Sequence, residues 1–70
     1  MIYKLTGDEL ADLQRRVEDK HGQGWFYQHT VRDIGPDGRE GTVDVFDNRH
    51  DDWDSRRMVL VLNGKVLSQQ

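Results

Sequence analysis

Residues Arg57 to Ser68, RMVLVLNGKVLS, decide how this chain folds. Arg57 to Leu62 reads as the most apolar strand, apolar on both faces and holding the unbroken run Met58 to Leu62. Asn63-Gly64 follows at once, and Asn-Gly between two apolar runs is the strongest short signal for a hairpin with a type I′ turn. A two-residue loop sets Leu62 opposite Lys65, Val61 opposite Val66 and Leu60 opposite Leu67. Val61 and Val66 then share one face and Leu60 and Leu67 the other. Both faces of this hairpin are apolar, so a single helix covers only one of them. The second face needs the loop that carries Trp53 or a second copy of the chain, and a homodimer is expected on this ground.

Working back from the hairpin, Asn48 to Ser55 reads as a loop and Glu40 to Asp47 as a strand. Val43 and Val45 lie on one face of that strand and Phe46 on the other. Gly35-Pro36-Asp37-Gly38 is a turn, because proline presets one backbone angle and glycine tolerates a left-handed one. Trp25 to Ile34 is the partner strand, with Trp25, Tyr27, His29 and Val31 alternating against Phe26, Gln28, Thr30 and Arg32. Before it, Leu10, Leu13 and Val17 form a narrow apolar stripe at helical spacing, which predicts a helix from Gly7 to His21. Thr6-Gly7-Asp8-Glu9 has the form of a capping box at its start, and Leu5 with Leu10 the form of a hydrophobic staple. Asp8, Glu9 and Asp12 lie near the positive end of the helix dipole, and Lys20 and His21 near the negative end. Asp12 and Arg16 make an i,i+4 pair, and Gly22 and Gly24 stop the helix. Ile2 to Leu5 is a short first strand.

The expected fold is therefore α+β. One N-terminal amphipathic helix packs on an antiparallel sheet of four to five strands, in the order β-α-β-β-β-β. Seventy residues make one domain, 1–70, with a modest core. There is no cysteine, so neither a disulfide nor a thiolate metal cluster supports that core. Charged residues make up 33% of the chain and hydrophobic ones 34%, which is polar for a globular domain. The apolar residues are nevertheless regularly spaced, so the chain reads as folded, with a frayed tail at Ser68–Gln70. No basic-then-apolar leader is visible, and Met58–Leu62 is too short to cross a bilayer. A cytoplasmic location without membrane association is the expectation.

The segment Asp44 to Asp54, DVFDNRHDDWD, concentrates the charge. It holds five aspartates against one arginine, giving about −4 in a chain whose total is −3. An acidic stretch carrying Phe46 and Trp53 suits a protein partner with a basic surface, since charge speeds encounter and a buried aromatic holds the complex. The expected contact residues are Asp44, Phe46, Asp47, Asp51, Asp52, Trp53 and Asp54. Against this stands the simpler reading, in which the aromatics cover the second sheet face and the aspartates cap a solvated loop. Carboxylates at this spacing can also imitate phosphates. In size and charge the chain is similar to phage-encoded inhibitors such as anti-CRISPR proteins, a likeness that carries no motif and transfers no residue.

Other chemistries find less footing. The acidic stretch lacks the glycine and the alternation of a calcium loop, and one imidazole, His50, makes a poor transition-metal set. His29 comes near Asp44 only if the strands pair in the simplest register. No metal and no cofactor is expected. Ser55 and Ser68 are the only serines, and neither sits in a nucleophile elbow. An enzyme is not expected. Arg15 and Arg16 on the helix, with Arg56 and Arg57 before the apolar run, form the alternative, a nucleic-acid patch. The acidic balance, with a pI near 5.4, makes nucleic acid the less favoured partner. A small structural subunit of a larger assembly is a further alternative.

Overall fold

The computed structural model describes residues 1–69. Strand β1 (Ile2–Tyr3) leads into helix α1 (Gly7–His21). Strands β2 (Phe26–Ile34), β3 (Glu40–Asp47), β4 (Met58–Leu62) and β5 (Lys65–Val66) follow, with a short 3-10 turn at Trp53–Ser55 before β4. The strands form one antiparallel sheet in the order β1-β2-β3-β4-β5. The α+β fold read from the sequence is the fold observed, with five strands.

Helix α1 lies across one face of the sheet, here called the inner face. Leu13 and Val17 press from the helix onto Phe46, Val59 and Val61, with Trp25 closing one end. Leu5, Tyr27 and Val66 pack around this cluster. The helix stripe buries because Leu13 and Val17 sit one turn apart on the same side. Gln14 Nε2 donates to the Trp25 carbonyl at 2.8 Å, and His21 Nε2 lies 2.7 Å from the Leu67 carbonyl. A carbonyl only accepts, so His21 donates there. Arg16 donates to the Gly64 carbonyl, which ties α1 to the β4–β5 turn.

Two local signals behave differently from one another. Asn63 and Gly64 have φ of 50° and 86°, the positive pair a type I′ turn requires. Asn63 Oδ1 also accepts from the Thr42 amide at 2.8 Å, which locks the turn to β3. The helix begins at Gly7 with Thr6 as its N-cap, yet the Thr6 side chain makes no capping hydrogen bond. The expected capping box is not formed. Gly7 has φ of 62°, a left-handed value that only glycine adopts freely, and it turns the Thr6 side chain out of line with the Glu9 amide.

The largest departure from the expected pattern lies in β2. Its register with β3 slips between Tyr27 and His29, leaving Gln28 as an extra residue in a bulge. Beyond the bulge every side chain changes face. Tyr27 pairs with Phe46 and Thr30 with Asp44, so both point inward, while His29 pairs with Val45 and points outward with Val31. The alternation that grouped Trp25, Tyr27, His29 and Val31 on one face is therefore corrected. The approach of His29 to Asp44 does not occur either.

Candidate functional site

The segment singled out by its charge divides into two parts. Asp44 and Phe46 belong to β3 and face inward. Phe46 is 0% exposed, with the Tyr27 ring edge-on at a centroid distance of 5.5 Å. Asp44 is 6% exposed and accepts a hydrogen bond from Thr30 Oγ1 at 2.6 Å. With the Thr30 proton so committed, Tyr27 donates its hydroxyl proton to Thr30 Oγ1 at 2.5 Å and accepts from the Leu5 amide at 2.9 Å. This is a directed chain of hydrogen bonds from the segment before α1 to a buried carboxylate, and each link polarises the next. Asp44 and Phe46 are thus removed from the expected partner-binding surface. Strand parity places them in the core, where they hold the helix to the sheet.

The rest of the segment is a loop from Asn48 to Arg57, and short polar side chains wire it together. Asn48 Oδ1 accepts from the His50 amide at 3.3 Å and from the Arg57 amide at 3.1 Å, while Asn48 Nδ2 donates to the Ser55 carbonyl at 3.1 Å. One side chain therefore clamps both ends of the loop. Asp47 Oδ1 accepts from Gln28 Nε2 at 3.0 Å and from the Arg49 amide at 3.1 Å. His50 Nδ1 accepts from the Asp52 amide at 3.1 Å, and Asp52 Oδ1 from the Asp54 amide at 3.1 Å. These are local side-chain-to-backbone turns, the ordinary use of Asn and Asp in loops. Arg57 Nη1 donates to the Asp54 carbonyl at 2.9 Å and completes the frame.

On this frame Trp53 stands 80% exposed, with the Arg56 guanidinium 5.2 Å from its ring centroid. Phe26, at the neighbouring end of β2, carries Arg49 over its ring at 4.6 Å and is 42% exposed. Each exposed aromatic therefore holds an arginine by a cation–π contact. Asp51, Asp52 and Asp54 are exposed around Trp53, and Asp47 is half-buried at the loop's base. The charge of this surface is more even than a count ending at Asp54 suggests. Asp44 is buried, and Arg56 and Arg57 follow directly in sequence, so four aspartates meet three arginines. Trp53 does not fold back over the second sheet face.

No group of three or more His, Cys, Asp or Glu side chains is placed to hold a metal ion among the described residues. The four arginines of the alternative patch do not converge. Arg16 is bonded to Gly64 at one end of β4, and Arg15 to Asp12 at 3.1 Å. Arg56 and Arg57 stand at the other end, beyond a five-residue strand about 17 Å long. Among the described residues no helix is long and apolar enough to cross a membrane. Comparison with known protein families, with curated proteins and with solved structures finds no match to this chain.

Sequence reasoning missed the buried Tyr27–Thr30–Asp44 chain because the bulge at Gln28 sets it. The signal available was Thr30 itself, a β-branched residue in mid-strand whose hydroxyl needs a partner once buried.

Proposed function

We propose that this protein is a small non-enzymatic binding module that regulates or inhibits another protein, and that the Asn48–Arg57 loop is its contact surface. The exposed Trp53 supports this reading above all. A tryptophan left 80% exposed on a loop wired by its own side chains is ordered without being buried. Seating such a ring in a partner's pocket removes roughly 150–200 Å² from water, worth about 4 kcal/mol before the costs of association. The loop is held in one shape beforehand, so little ordering entropy is spent on binding. Asp51, Asp52 and Asp54 form a rim that favours a partner with cationic side chains at its pocket edge, and Asp47 holds the base of the loop. Arg49 and Arg56 add hydrogen-bond donors beside the two aromatics, so the partner surface is expected to carry both signs of charge.

The test is capture from a lysate of the native host with tagged protein, read by mass spectrometry. The control is the variant Trp53→Ala, Asp51→Asn, Asp52→Asn, checked by circular dichroism. The reading expects a partner that the wild type retains and the folded variant loses. Truncation of a central aromatic anchor alone should weaken the complex at least about 30-fold. Retention of the same partner by the folded triple variant would sink the site assignment.

A further inference from the structure

The outer face of the sheet is largely apolar, and helix α1 packs on the opposite side. The register aligns Ile2, Val31, Val43 and Leu62 across four strands in one row and His29, Val45 and Leu60 in the next. Val45, at the centre of this face, is 8% exposed and lies outside the core cluster beneath α1, while Ile2 and Leu62 at its margins are 70% and 45% exposed. Trp53 points to solvent.

We propose that a second copy of this chain covers the outer face, in a two-fold sandwich of the two sheets centred on Val45 and Leu60. Three observations select this occupant. The middle of the face, His29, Val31, Val43, Val45 and Leu60, carries no Asp, Glu, Lys or Arg, so it has little to attract a strongly acidic or basic partner and suits a surface of its own kind.

Charge at the rim is self-complementary as well. Lys65 shares the outer face with Leu62 at the β5 edge. Asp33 sits on β2, two residues past Val31 toward the same end of the strands. A two-fold axis lying in the face along the strand direction exchanges left and right but keeps the ends. It therefore carries Lys65 of one copy across to the side where Asp33 of the other copy stands. A small rotation closes the remaining gap, and twisted sheets stacked face to face cross at roughly 30° in any case. The two-fold makes this contact twice.

The area is sufficient. Five strands at about 4.8 Å spacing and about five residues at about 3.3 Å rise give a face of roughly 400 Å² in projection. Side-chain relief raises the accessible area, so two copies together bury about 1,000 Å² or more, the lower end of specific interfaces. A core of six buried residues on the inner face leaves a chain of this size in need of further burial.

Sedimentation equilibrium of the full chain tests this over about 1 to 500 µM, a range that brackets dissociation constants expected for an interface of that size. The wild type should dimerise with concentration. Leu60→Lys should weaken association at least about 100-fold by placing a charge at the centre of the sandwich. Asp33→Lys and Lys65→Asp should each weaken it about 5- to 10-fold, and the double variant should return to within about 3-fold of the wild type. A wild type that stays monomeric throughout overturns the proposal and leaves the face to a different partner. So does a dimer that folded Leu60→Lys leaves intact, or charge reversals whose double variant shows no restoration. Should Leu60→Lys fail to fold, the charge-reversal cycle decides. Trp53→Ala should leave the dimer unchanged, which separates this surface from the loop.

Discussion

Asp44-Val45-Phe46-Asp47 and Asp51-Asp52-Trp53-Asp54 are near copies in composition, each with one aromatic and its aspartates, and the molecule uses them in opposite ways. In the first, strand geometry alternates the side chains, so Phe46 enters the core and Asp44 follows it inward. In the second, no strand exists to impose alternation, and Trp53 stands in solvent while Asp52 caps a turn. The same residue types stabilise the fold in one place and present a surface in the other. What separates them is the ladder of backbone hydrogen bonds, which fixes direction before side-chain chemistry has a say.

The comparison breaks most visibly at the two aromatics. Phe46→Ala removes a fully buried ring from the centre of a small core and should cost about 3–5 kcal/mol, a large part of the stability of a domain this size. Urea denaturation followed by far-ultraviolet circular dichroism would measure it, and a loss below about 1 kcal/mol would contradict the packing described. Thr30→Val comes next. It keeps the shape but leaves the buried Asp44 carboxylate without its donor, for an expected loss of about 1–3 kcal/mol in the same experiment.

Asn48→Ala deletes the side chain that clamps both ends of the loop. It should cost about 1 kcal/mol and raise the hydrogen-exchange rates of the His50 and Arg57 amides, which lose their acceptor. Trp53→Ala closes the series, with a stability change inside about 0.5 kcal/mol, since an exposed side chain contributes little to folding. A much larger loss there would mean that Trp53 packs against the body of the protein and is not held out for a partner.

How far the sequence could be read follows from the range of each signal. The span of α1, the stop at Gly22 and the Asn63-Gly64 turn were legible because neighbouring residues settle them. Gly22 closes the helix with its amide on the Glu18 carbonyl at 2.7 Å, a five-residue matter. The bulge at Gln28 was not legible. It arises where β2 meets β3, and a one-residue slip leaves no mark in the alternation of either strand taken alone. From that slip followed the misplacement of His29 and the unforeseen burial of Thr30. Within the candidate site, Trp53 and the loop aspartates were legible as exposed polar-aromatic sequence. Asp44 and Phe46 were drawn into the site by charge counting, which does not see strand parity. Even the apparent acidity depended on where the count stopped, two residues short of Arg56 and three short of Arg57.

The strands stand in the sheet in the order in which they occur along the chain. For the kinetics of folding this has a direct result. The pairings of β2 with β3, β3 with β4 and β4 with β5 each require closing one loop between consecutive strands. The fourth, β1 with β2, must bring the 15-residue α1 along with it. Chains dominated by such near-neighbour pairings pass their barrier quickly, and the hairpin around Asn63-Gly64 can form on a microsecond scale. The seating of β1 is then the late event. Changes at Ile2 or Tyr3 should accelerate unfolding while leaving the rate of folding almost untouched.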